Sequence, residues 1–73
     1  MAVEVTSQMT GSVWKVTVNV GQHVEEDEVL VILESMKMEI PILATVDGII
    51  KEILVQEEGF VSDGDVVVLI EEE

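Results

Sequence analysis

The stretch with the most chemical content is Glu34-Ser35-Met36-Lys37-Met38-Glu39, where a primary amine stands between two methionines and two carboxylates. It lies in mid-chain, between the apolar runs Val29–Leu33 and Ile40–Leu43. Two strand-like runs so close together predict a hairpin, yet the link lacks the Asn-Gly, Asp-Gly or Gly-Gly pair that makes a two-residue turn comfortable. With Met36 and Lys37 at the central positions of a primed turn, one or both must take a positive φ without glycine, at a cost on the order of 1–3 kcal/mol. Strain kept at an exposed tip points to function. The other chemically suggestive group is His23 with Glu25, Glu26, Asp27 and Glu28. One histidine beside a run of carboxylates in a turn lacks convergent ligands, so a solvated loop is expected there, with no metal site and no acid–base pair.

The elements that position this stretch come in two similar sets. Gly11–Val18 superposes on Gly48–Val55 at an offset of 37 residues, and the same offset, without a gap, carries Val24 to Val61, Val29–Leu33 to Val66–Ile70 and Glu34 to Glu71. Two halves of about four short strands predict an all-β barrel or sandwich with a pseudo-two-fold axis, since neither half can bury its apolar face alone. Trp14, Val16, Val18 and Val20 alternate with Lys15, Thr17 and Asn19, so the even positions, with Trp14 as an anchor, are expected in the core. Ile53 and Val55 take the matching role, with Glu52 and Gln56 outside. Val29–Leu33 and Val66–Ile70 read as central strands covered on both faces. No stretch keeps a helical period. The five glycines mark turns, and Pro41 requires an edge or an unpaired site. The tail Glu71-Glu72-Glu73 reads as a frayed, charged terminus.

The 73 residues make one domain, 1–73, with no room for a second core or for a drug-sized pocket beside the first, which counts against a self-sufficient enzyme. Sixteen acidic residues against three lysines give a net charge of −13, which excludes nucleic acid as a partner and favours a soluble monomer. There is no cysteine, hence no disulfide framework and no thiolate metal site. Neither a signal peptide nor an apolar stretch of spanning length is visible, so no membrane is expected and a cytoplasmic location follows by default.

The hexapeptide around Lys37 resembles the biotin-attachment motif of biotinyl/lipoyl carrier domains, usually Glu-Ala-Met-Lys-Met, with Ser35 in place of alanine. The resemblance covers essentially the whole chain. It implies a flattened β-barrel, a barrel-sandwich hybrid of two four-stranded antiparallel sheets, with the modified lysine on a hairpin at one end and the termini at the other. The gap-free repeat leaves no space for the thumb insertion of some carriers, so a thumbless type is expected. One departure is Gly59, where the family's Glu-Gly-Asp pattern and symmetry with Gly21 would put glycine at position 58.

The resemblance further implies that Lys37 carries covalent biotin, attached by a biotin protein ligase that reads Glu34, Ser35, Met36 and Met38. The carrier then serves biotin carboxylase and carboxyltransferase subunits and has no catalytic residue of its own. Glu34 and Glu39 are expected to favour the charged ammonium, which leaves Lys37 a poor nucleophile until ligase and acyl-adenylate activate the reaction. Two alternatives stay open. Lipoate on the same lysine would bring a lipoate ligase and 2-oxo-acid dehydrogenase or glycine-cleavage components, although lipoyl domains more often show Asp-Lys-Ala or Asp-Lys-Val. An unmodified interaction module on the same barrel is the reading from a different class.

Overall fold

Each long apolar run of the sequence forms a strand. The computed structural model describes Met1–Glu73 as β1 (Ala2–Thr6), β2 (Gly11–Val16), β3 (His23–Val24), β4 (Val29–Ser35), β5 (Met38–Leu43), β6 (Gly48–Ile53), β7 (Phe60–Val61) and β8 (Val66–Glu72). No helix is long and apolar enough to cross a membrane. Two four-stranded sheets form, in the orders β1-β8-β6-β3 and β5-β4-β2-β7, and every pairing is antiparallel. The 37-residue offset carries one sheet onto the other strand for strand. The loops obey it as well: Gly21 N donates to Ile50 O at 2.8 Å, and Glu58 N to Val13 O at 2.9 Å.

The inner faces enclose one cluster of 14 buried apolar residues, among them Leu30, Val31, Leu33, Ile50, Val67, Val68 and Ile70. The runs Val29–Leu33 and Val66–Ile70 are central strands, as expected, but they are covered on one face only. Leu30 is skipped in the register between Val29 and Val31, and Val67 in that between Val66 and Val68. Each bulge turns two successive side chains inward, while Ile32 and Leu69, pointing out, stay half-buried. Pro41 sits on the edge strand β5, where no neighbour needs its missing N–H.

Trp14 is the main departure from the sequence reading. It is 49% exposed, and Val13, buried, takes the core position. The register of β2 against β4 passes from Val13↔Leu33 to Lys15↔Ile32 and skips Trp14. This bulge resets the alternation, so that Val16 and Val18 pack inward while Val20 is exposed. Strand β6 does the same between Ile50 and Glu52, with exposed Lys51 in the position of Trp14.

Gly11 and Gly48 lie in strands rather than turns. A Cβ on Gly48 would stand 2.2 Å from Glu71 O and 2.7 Å from Ile70 Cγ2, so this crossing of β6 and β8 needs a bare backbone. The tail is held rather than frayed. Glu72 N donates to Met1 O at 2.9 Å, the Met1 amine reaches Glu71 Oε1 at 3.0 Å, and His23 Nε2 contacts Glu73 Oε1. The hydrogen bond from the Met1 amine, and then its charge, hold the Glu71 carboxyl below its ordinary value; slight desolvation opposes this and Lys51 adds to it.

Candidate functional site

Strands β4 and β5 pair from Val29↔Leu43 to Ser35↔Met38, which leaves Met36 and Lys37 as the two-residue link. Their φ angles are 53° and 65°, both positive, as a type I′ turn requires. The expected strain without glycine is present, and both residues carry it. The right-handed twist of two long, well-paired strands favours this turn over the unprimed types, so pairing further down the hairpin imposes the conformation on the tip.

The base of the hairpin is braced by β2. Ser12 Oγ donates to Glu34 O at 3.4 Å, and Gly11 lets the strands approach closely, since a Cβ there would lie 2.9 Å from Glu34 O. The tip is the one turn that the repeat does not supply twice. The offset carries Met38 back to Met1 and Met36 on to Glu73, so the place equivalent to Lys37 is the break between the chain ends.

Around the tip the side chains are open. Met36 is 89% and Met38 59% exposed, so neither fills the core, and Lys37 and Glu34 are exposed while Ser35 is half-buried. Glu34 and Glu39 flank Lys37 in sequence but oppose one another across the hairpin. Neither lies within ion-pair distance of Lys37 Nζ; the ion pairs of the chain are Met1–Glu71, His23–Glu73 and Lys51–Glu71. No ion pair therefore fixes the Lys37 ammonium. The structure thus brings Glu34, Ser35, Met36, Lys37 and Met38 into one projection, with the amine at its end and no fixed partner.

His23 and the acidic loop after it do not converge. His23 points to the side-chain carboxylate of Glu73, whereas Glu25 N and Glu26 N bond to Glu28 Oε1 and Asp47 Oδ1. No group of His, Cys, Asp or Glu side chains is arranged to hold a metal ion. Sequence reasoning missed the exposed aromatics Trp14 and Phe60, the latter 69% exposed on β7. The available signal was the repeat itself, which aligns them with the polar residues Lys51 and His23.

Chemically the tip offers a free amine on a short, rigid projection, able to accept an activated acyl group from a second protein and to present the product away from the barrel. Comparison with known proteins agrees. A family model described as "Biotin-requiring enzyme" matches residues 1–70. The chain is similar to the "Biotin/lipoyl attachment protein" of Bacillus subtilis, with 51% identity over 63 residues, 86% of each chain. It is also similar to the "Biotinylated protein TB7.3 homolog" of Mycobacterium leprae, with 41% identity over 96% of this chain and 99% of the other. Among solved structures, urea carboxylase of Kluyveromyces lactis contains a segment that superposes with a TM-score of 0.90 at 37% identity; it covers 96% of this chain but 6% of that enzyme.

Proposed function

The chain belongs to the biotinyl/lipoyl attachment domain family, and from that premise we propose that it is a biotin carrier in which Lys37 is the attachment residue. The observation that carries the assignment is the tip: of the three lysines, Lys37 alone stands on a two-residue turn held at positive φ, whereas Lys15 and Lys51 are exposed on strands. Biotin fits this site, because an amide to a carboxylic acid needs a primary amine clear of the barrel, and the exposed tip supplies one. When bound, biotin provides a ring that can carry a carboxyl group between two partner sites. The residues of the chain do the rest. Lys37 Nζ, as the free amine, attacks the acyl-adenylate presented by a ligase; an amide bond forms, adenylate leaves, and the amine proton passes to the medium or the ligase. Met36 and Met38 give the ligase an exposed, adaptable apolar surface on either side of the amine, and Gly11, Ser12 and the β4–β5 ladder fix the tip while the lysine stem remains mobile.

The chain itself is not a catalyst. Its partners are a biotin protein ligase and the biotin carboxylase and carboxyltransferase components of a biotin-dependent carboxylase, with a monomeric carrier moving between them. Lipoate on the same lysine is not favoured: the descriptions of the family model and of both relatives name biotin, and one of them adds lipoyl.

The test is intact-mass analysis with peptide mapping after incubation with a biotin ligase and, separately, a lipoate ligase. A single biotin on Lys37, absent from Lys37→Arg, is the expected result. Modification at Lys15 or Lys51, or by lipoate alone, overturns the assignment.

A further inference from the structure

The chain contains no cysteine, so its oxidisable sulfur lies entirely in the thioethers of Met1, Met9, Met36 and Met38. The fold sorts these four by environment. Met9 packs against the buried cluster, whereas Met36 and Met38 are exposed on either side of the Lys37 amine. Met1, at 85% exposure, is as open as Met36, but its amine is tied to Glu71 and β1 separates it from Gly11 at the base of the hairpin. It is also the residue to which the 37-residue offset carries Met38. The molecule thus holds an exposed thioether pair at the attachment tip and a symmetry-related exposed thioether, a strand length away, that flanks no acceptor lysine. Packing does not ask for sulfur at the tip, since neither Met36 nor Met38 fills the core.

We propose that Met36 and Met38 form a peroxide-responsive modification site that governs loading of Lys37: with both present as sulfoxides a biotin ligase accepts the tip poorly, and their reduction restores it. The inference rests on the biotin-carrier reading above and adds a regulation of that same site. In the chemical step a sulfur lone pair attacks one oxygen of hydrogen peroxide, the O–O bond breaks, an S–O bond forms, and water leaves after a proton passes between the two oxygens. Sulfur loses two electrons and peroxide gains them. A thiol-dependent methionine sulfoxide reductase runs the change back, with the oxygen released as water and the thiols oxidised to a disulfide. Oxidation turns a flexible apolar side chain into a polar one. The ligase then has to cover two S–O groups that water had solvated, and each one left without a partner in the contact costs affinity. The barrel does not register the change, because both side chains lie outside the core. A sulfoxide at Met9 sits instead against buried side chains and shows as lost stability, so oxidation of the tip and of the core read separately.

The test treats the unbiotinylated chain with hydrogen peroxide, locates the sulfoxides by peptide mass, and then measures biotin attachment by a purified ligase at low carrier concentration. Exposure sets the expected order of oxidation, with Met1 and Met36 first, Met38 next and Met9 last. Once Met36 and Met38 are oxidised, attachment to Lys37 is expected to slow about tenfold, with thermal unfolding unchanged and the rate recovered after treatment with methionine sulfoxide reductase. The double variant Met36→Leu, Met38→Leu keeps Met1, Met9 and Trp14, and each protein is compared with itself before and after peroxide. For the variant that ratio is expected to stay near one. An unchanged rate in the doubly oxidised parent, an equal loss in the variant, or a loss that persists after the sulfoxides are removed overturns the proposal. Failure of the carrier reading shows separately, as the absence of added mass on Lys37 of parent chain never exposed to peroxide.

Discussion

Left-handed backbone is placed in this chain by symmetry, and the residues that bear it differ between the halves. Gly21 at φ 91° matches Glu58 at 70°, and Asp27 at 72° matches Gly64 at 92°. The glycine that the sequence shows at position 59 has therefore not moved the turn; Glu58 adopts the conformation that glycine would take more easily. A non-glycine residue in this region costs roughly 1–2 kcal/mol, partly offset by the greater chain entropy that glycine loses on folding. Glu58→Gly should thus stabilise the protein by about 0.5–1 kcal/mol, read as a higher denaturant midpoint with an unchanged slope. No change, or a loss, would show that the Glu58 side chain makes a compensating contact. Met36 and Lys37 bear the same kind of strain with no symmetric partner to explain it, which fits retention of the tip for its chemistry.

At the scale of elements, the two bulges at Trp14 and Lys51 and the close crossings at Gly11 and Gly48 give the sheets their curvature. The crossings are not equally tight, since a Cβ would come within 2.9 Å of Glu34 O at Gly11 but within 2.2 Å of Glu71 O at Gly48. Both obstacles are backbone atoms, which cannot swing aside. Gly48→Ala is expected to destabilise by more than about 3 kcal/mol, and Gly11→Ala by less, as measured by urea unfolding. Because Gly11 braces the base of the hairpin, its variant should also be biotinylated more slowly than its stability alone accounts for. Equal stability losses at the two positions would mean that the strands relax freely around either methyl group. The alternation rule failed at Trp14 because it assumes an unbroken ladder. The bulge there depends on pairing with β4, about twenty residues further along the chain.

The whole molecule carries −13 on a body of 35 × 19 × 18 Å. At low salt the Debye length of about 30 Å spans the protein, so every carboxylate repels most of the others; near 0.15 M it falls to about 8 Å and the repulsion becomes local. Melting temperature should therefore rise by several degrees between about 0.01 M and 0.15 M sodium chloride at neutral pH. A flat or falling curve would show that the ion pairs of Lys51 and of the N-terminal amine with Glu71 outweigh the general repulsion.

The sequence by itself determined the duplicated all-β plan, the central place of β4 and β8, the edge position of Pro41 and the glycine-free turn at Met36 and Lys37. Each of these is written in short-range pattern: apolar runs, their spacing and the types of residue between them. Tertiary structure decided which way Trp14 faces, that the acidic tail is tied down by Met1 and His23, and that Glu34 and Glu39 stand across from one another without holding Lys37. It also placed Phe60, exposed, on the edge strand β7 of the sheet that carries the hairpin. All of these depend on which distant strand lies alongside and in what register, and a local pattern of apolar and polar residues does not contain that choice.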